Sequence, residues 1–530
     1  MKSATAYRSI QQRGLHIGLL PAMAAAVDPS TPITLDHDLD VLPDAGRELT
    51  AAALAKIVED LSARLAAAGV RADDHVVVHK RANADMWVLA CALSRIGAVP
   101  VMLSPGLNAA TVAALMRRLG QPNLLTDEHK LHGGLAEAGA PGLARRVIVV
   151  AGSYPGAVSL ADLAGSAPVA PVQRPIDEAA VITHTSGTTG IPKLVVHTPR
   201  TQGLRLKPQW RLLGLIRKRE TVAIHISFVH SRMVAAMALA LVKGWPVLLM
   251  NDGEPAAAAD FFLAHRPGLI EALPNSLMDW QHLADDPRRP FASVKYFSST
   301  FDAIHPGTMS RLLKSSQRRG ALFFQIYGQS EVGPAVGRAY FRSSAHKANG
   351  RCVGWRMPLG AAKVRVVARD GKRPSPANPG FIEVAWPALA KTYYAEQDRY
   401  DANRDGAWWR TGDVGYFTRV GCLHMLDREV DMIPGVRSSL EIEDLVLARL
   451  PELSELAVVQ GPDGQAIPVI CTRDDAPLDV ERWRAAVTAF PQLADPVQIP
   501  QAELPRTATL KVQRLALADR LKQQLTGDDA

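Results

Sequence analysis

From about residue 75 the chain alternates short apolar runs with amphipathic stretches. His75-Val76-Val77-Val78 reads as a buried strand, residues 84–97 as a helix stopped at Gly97, residues 99–103 as a second strand, and residues 108–119 as a helix stopped at Gly120. The same rhythm returns further on. Strands are predicted over 179–182, 221–226, 247–250, 269–272, 294–297 and 322–326, with helices over 232–242, 256–264, 275–284 and 307–317. Strand–helix alternation of this kind builds doubly wound, largely parallel sheets. After residue 350 the texture changes to short β-like pieces broken by Gly, Pro and Asp, which predicts a more antiparallel, barrel-like section. Helical patterns over 440–450 and 478–490 then predict a small terminal α+β unit. The fold class is therefore α/β.

Composition narrows this picture only a little. The 530 residues are 47% hydrophobic and 21% charged, which excludes a disordered or fibrous chain. The net charge of +8 is mild for this length and suits a polyanionic small molecule; without a basic run or a binding module, no nucleic-acid partner is expected. Lys2, Arg8 and Arg13 precede an apolar run over 14–27, but His16 and Pro21 interrupt it, so a short amphipathic helix is expected rather than a leader. No stretch is apolar for long enough to cross a membrane. Cys91, Cys352, Cys422 and Cys471 form no CxxC, which argues against a zinc knuckle or redox pair and for a reducing, cytoplasmic setting.

Candidate chemistry begins at Thr183-His184-Thr185-Ser186-Gly187-Thr188-Thr189-Gly190-Ile191-Pro192-Lys193. Glycines let successive N–H groups turn toward one anion, hydroxyls add donors and Lys193 adds charge: by physical logic this is a phosphate cradle. Its Gly–Lys spacing differs from that of a P-loop. At the end of a predicted strand lies Gln325-Ile326-Tyr327-Gly328-Gln329-Ser330-Glu331, with an aromatic to stack on a base and a carboxylate suited to Mg²⁺. Its Ser330 does not complete the GxSxG of a hydrolase, because Val332 stands before the closing glycine. Three further segments follow: Trp408-Trp409-Arg410-Thr411-Gly412-Asp413, Asp427-Arg428-Glu429-Val430-Asp431, and Leu504 to Arg514 with Lys511 inside it.

In this order the segments resemble the adenylate-forming superfamily of acyl-CoA synthetases, luciferases and nonribosomal-peptide adenylation domains, over roughly residues 20–525. The resemblance implies an N-terminal domain to residue 426 that binds AMP and the acid, a hinge at 427–431 and a mobile C-terminal domain from 432 to 530. It implies that Thr185, Ser186, Gly187, Thr188, Thr189, Gly190 and Lys193 cradle the ATP phosphates, and that Tyr327 and Gly328 flank the adenine. It assigns Ser330 to the α-phosphate, Glu331 to Mg²⁺, Asp413 and Arg428 to the ribose, and Lys511 to the α-phosphate and the attacking carboxylate. His230 matches the histidine at the mouth of the acid pocket, to which Arg232, Ser299, Thr300 and Ile326 also belong. The reaction implied is ATP-dependent, AMP-forming activation of a small polar or aromatic acid.

CoA or a carrier thiol is the acceptor by family default. The alternative is a non-thiol nucleophile such as an amine, as in amide synthetases or in relatives that adenylate nitrite to diazotise an arylamine. Two departures bear on that choice. After Ile433 the usual loop is shortened, with Pro434 and Gly435 leading quickly to Glu441-Ile442-Glu443, and Val430 replaces the charged hinge residue. Leu510 stands where a glycine usually precedes the lysine, and Arg232 where an aromatic or small residue is common. Arg232 is expected either to pair at the surface or to meet a polar or anionic substrate.

Overall fold

The computed structural model describes residues 2–185, 191–300, 304–347, 349–356, 362–506 and 511–526. Two large sheets dominate. In the first, the parallel strands His75–Val78, Val99–Met102, Asn123–Thr126 and Val181–His184 end together at one edge. Helix Ala109–Leu119 between two of them is capped by Asn108, whose side chain accepts the Thr111 N–H, and stops at Gly120 in the left-handed conformation. Asn supplies the oxygen that an orphan helix N–H needs, and Gly the positive φ that ends the helix. Val181–His184 then pairs antiparallel with Leu194–His197. The expected phosphate cradle thus falls between two antiparallel strands.

The second sheet has a parallel centre of Val222–His225, Val247–Leu249, Leu269–Ala272, Tyr296–Ser299 and Leu322–Gln329. Gly333–Phe341 pairs antiparallel with Leu322–Gln329, and the antiparallel strands expected after residue 350 continue that sheet: Cys352–Arg356, Leu423–Arg428, Trp408–Phe417, Gly380–Ala385 and Lys363–Val367. Helices Pro199–Leu213 and Ser231–Lys243 lie over the face that carries Ile224 and Leu269, while Phe297, Phe323 and Ile270 pack a separate core on the other face. Several elements escaped the sequence pattern, among them helices Ala51–Ala67 and Pro199–Leu213 and helix Lys2–Arg13. The last buries only Ile10 and stacks Tyr7 on Trp210 at 4.2 Å, too little apolar periodicity to read.

The chain after Ile433 has its own core of Ile442, Val446, Leu456, Ile470 and Trp483 under the sheet Leu453–Gln460, Ala466–Thr472, Val497–Gln498. Side-chain hydrogen bonds tie it to what precedes, among them that of the Ser438 hydroxyl to the Leu426 carbonyl at 3.0 Å. Buried Asp427 accepts the N–H groups of Ser439 and Leu440, at 3.1 and 3.2 Å, at the start of helix Ser439–Arg449. Burial pushes its carboxyl up to about 7. Arg351 donates to Asp444 of the same helix at 2.8 Å.

The cysteine expectation is corrected. Cys352 and Cys422, 70 residues apart, form a disulfide, because the antiparallel pairing of Cys352 with His424 sets them side by side; Cys91 and Cys471 are buried free thiols. Among the described residues no helix is long and apolar enough to cross a membrane.

Candidate active site

The strand Leu322–Gln329 delivers Tyr327 into the space between the two sheets. At Gly328 its pairing with Gly333–Phe341 slips, and a Cβ there would lie 2.2 Å from the Gly333 carbonyl oxygen. Only glycine allows that approach, and the kink turns Ser330 and Glu331 out of the ladder. The Tyr327 hydroxyl donates to Asp413 at 2.6 Å, and the Gln329 amide donates to the same oxygen at 3.0 Å. The other Asp413 oxygen lies 3.6 Å from Arg428 Nε, its cross-strand neighbour. Burial raises the Asp413 pKa, and Arg428 and the Tyr327 hydroxyl hold it down. Four sequence-predicted residues or neighbours thus form one connected patch.

Glu331 is buried and accepts the Tyr393 hydroxyl at 2.5 Å. Burial and the Glu331 charge push the Tyr393 phenol well up, so it stays a donor. The Lys193 ammonium lies over the Tyr393 ring, 4.9 Å from its centre, and its pKa is lowered by burial. Thr185 and Lys193 bond to each other across the hairpin, Thr185 N–H to the Lys193 carbonyl at 3.0 Å and Lys193 N–H to the Thr185 hydroxyl at 3.2 Å. An open cavity of ≈ 510 Å³ lined by Tyr393, Glu396 and Arg399 adjoins this cluster. Ser186, Gly187, Thr188, Thr189 and Gly190, and also Leu510, lie outside the described residues.

His230 caps helix Ser231–Lys243: its Nδ1 accepts the Arg232 N–H at 3.0 Å. The imidazole proton therefore sits on Nε2, which faces the Ser330 hydroxyl at 3.4 Å. Burial, with His184, Arg205, Lys511 and Arg232 around it, drops the His230 pKa to about 3. Between pH 6.5 and 3 the unfolded chain therefore binds a proton that the native imidazole refuses, so His230 destabilises the fold increasingly as pH falls. His230→Gln should gain stability relative to wild type between pH 8 and pH 5 in denaturant titrations; a stability difference unchanged by pH would refute the buried neutral imidazole.

Lys511 comes from the small C-terminal unit, yet its charge acts on both His230 and Asp413. Val512, next to it, forms an antiparallel bridge with Arg506, which pairs with Glu455 at 2.7 Å.

The expected acid-pocket residues divide. Along Tyr296–Ser299, Ser298 faces the same side as Glu271 and Phe324, and Ile326 continues that side two residues on from Phe324. Thr300 continues the alternation of Ser298, whereas Ser299 falls with Phe297 on the opposite side. Arg232 is neither a surface residue nor open to an anion: Nε and Nη2 donate to the two oxygens of buried Glu271, and Nη1 donates to Gln209. The sequence reading missed Tyr393, Glu271 and Gln209. The available signal was Glu271 itself, a charge within the apolar strand Leu269–Ala272.

The sequence matches the AMP-binding enzyme family over residues 23–394, and the chain belongs to that family. It is an adenylate-forming enzyme. Over 98% of both chains it is 43% identical to the 3-amino-2-hydroxy-4-methoxybenzoate diazotase of Streptomyces cremeus. It is 28% identical to the 3-aminoavenalumate diazotase of a Streptomyces species, over 80% of this chain and 76% of that one. In fold it is similar to an amide bond synthetase from Marinactinospora thermotolerans, with TM-score 0.75 and 21% identity over 95% of this chain and 99% of that one.

Proposed function

We propose that the chain is a diazotase: it adenylates nitrite and transfers the nitroso group to an arylamine. The observation that carries this reading is the full-length likeness to the Streptomyces cremeus diazotase. The acceptor end supports it. Ile433 to Val436 is a single hydrogen-bonded turn around Pro434 and Gly435, and Ser438 already caps the next helix. That leaves little chain from which to build a pantetheine channel.

The proposed roles combine the family resemblance with the contacts around each residue. The hinge is placed at 427–431, between units 1–426 and 432–530. Asp413, backed by Arg428, takes the ribose hydroxyls; Tyr327 and Gly328 take the adenine; Thr185 and Lys193 lead the phosphate cradle whose other members are Ser186 to Gly190. Glu331 is a hard oxygen donor fit for Mg²⁺, fixed in orientation by Tyr393. When bound, Mg²⁺ neutralises phosphate charge. Ser330, polarised by the Nε2 proton of neutral His230, and Lys511 receive the α-phosphate and the incoming anion.

A nitrite oxygen attacks the α-phosphorus and pyrophosphate leaves. The amine lone pair then attacks the nitrite nitrogen, and AMP departs with the bridging oxygen. Loss of an N–H proton leaves a nitrosamine. Its tautomer, the diazohydroxide, is protonated and loses water to give the diazonium ion.

The test is pyrophosphate release with nitrite and an aminophenol, with the diazonium trapped as an azo dye, run with and without CoA. Dye formation that needs both ATP and nitrite and ignores CoA is expected. Nitrite-independent turnover giving a robust acyl-CoA product would overturn the reading. Tyr393→Phe should raise the Mg²⁺ concentration for half-maximal rate by about 10-fold or more, as loss of a ligand's orienting partner does. An unchanged Mg²⁺ dependence would remove Tyr393 from this role.

A further inference from the structure

The Arg232–Glu271–Gln209 cluster adjoins His230, whose Nδ1 accepts the Arg232 N–H, and so stands where the acid pocket is expected. Glu271 and Gln209 are each 4% exposed. Glu271 shares its sheet face with Ser298 and Ile326, and that face looks toward the helices that bring Gln209 and Arg232. Thr300 lies at the same strand end. It is 7% exposed, and its hydroxyl has no hydrogen-bond partner among the described residues.

Three consequences follow. The guanidinium charge is already balanced by Glu271, so an anionic substituent placed here would leave a buried negative charge without a partner. An ionised carboxylate accepts about four hydrogen bonds, and Arg232 supplies two of them. Glu271 therefore keeps acceptor capacity for a donor entering the pocket. The Thr300 hydroxyl is a second polar atom waiting in the same wall, and buried hydroxyls rarely stay unsatisfied.

We infer that this wall recognises a neutral hydrogen-bond donor on the ring of the arylamine, a hydroxyl or an N–H, which Glu271 accepts and Thr300 flanks. Glu271 is the specificity-determining residue; Arg232 and Gln209 are positioning residues that hold its carboxylate. The inference rests on the nitrite-activating reading, in which the activated anion is only three atoms and the remaining acid pocket houses the amine. Hydroxyanilines are thus preferred over methoxyanilines, which present only an acceptor, and over aminobenzoates that direct a carboxylate at Glu271.

The test sets the three aminophenols against the three methoxyanilines and the three aminobenzoates in the full-length enzyme, with kcat and KM read from azo-dye formation. The best aminophenol should exceed its methoxy counterpart by about 100-fold or more in kcat/KM, mostly through KM, as expected where a site is built to bond a substrate hydroxyl. The double substitution Arg232→Met/Glu271→Gln removes the ion pair without stranding either charge, and should cut that preference to under about 10-fold. Thr300→Val should lower it in the same direction by a smaller factor. A wild type that uses aminophenols and methoxyanilines within about threefold, or a double variant that keeps the full preference, overturns the proposal. Calorimetric binding of the same amines separates it from the diazotase reading. If no amine is diazotised but the aminophenol still binds about tenfold or more tighter, the wall stands and the nitrite reading falls; equal binding overturns the wall.

Discussion

Lys511→Ala should slow adenylate formation by about 100- to 1,000-fold while leaving ATP affinity nearly unchanged, the loss typical of one preorganised donor that acts on transition-state charge. Nitrite and the α-phosphate are both anions, and their approach is opposed until cationic charge offsets the repulsion. In the proposed reading that charge is Lys511, whose field reaches both His230 and Asp413. It lies beside the antiparallel Arg506–Val512 bridge, in a unit with its own core. The proposed ATP-binding residues all precede the proposed hinge, so ATP binding should survive the substitution. Pyrophosphate release and equilibrium ATP binding, measured on the same variant, check both halves. Wild-type rates of release would remove Lys511 from the reaction.

Arg232→Met alone should destabilise the fold by about 3–5 kcal/mol, because it leaves the Glu271 carboxylate buried without its cation. The Arg232 side chain is 13% exposed and that of Glu271 5%, so water makes up only a small part of the lost charge balance. Replacing both partners, as in Arg232→Met/Glu271→Leu, should recover most of the loss, since a well-packed apolar pair of similar volume is often as stable as a buried ion pair. The first transition in a urea titration is the appropriate readout for a chain of this size. A single variant as stable as wild type would show that the ion pair is not desolvated in solution.

Much of the architecture was legible because its elements announce themselves locally. The strand His75–Val78 is a continuous apolar run, and the helix after Asn108 carries its start and stop signals in its own residues. Gly328, Asp413 and Glu331 were found by motif, and each proves to occupy a position that its residue type explains. Arg232 could be seen as unusual, but not as paired, because Glu271 lies 39 residues away in the chain. Tyr393 is an ordinary aromatic in sequence; its contact with Glu331 spans 62 residues. Ser299 and Thr300 look equivalent in a row of small polar residues, and only strand alternation separates them.

Residues 1–530 thus carried the fold class, the chemistry and the chain order of the motifs, since periodicity, caps and loop composition are short-range properties of a polypeptide. Charge partners, tautomers and faces were settled by folding. A side chain's pKa, its remaining hydrogen-bonding capacity and the cost of its charge depend on what lies within a few ångströms, and in this protein those neighbours come from distant strands. The Cys352–Cys422 bond, the Nε2 proton of His230 and the neutralised Arg232 are all of that second kind.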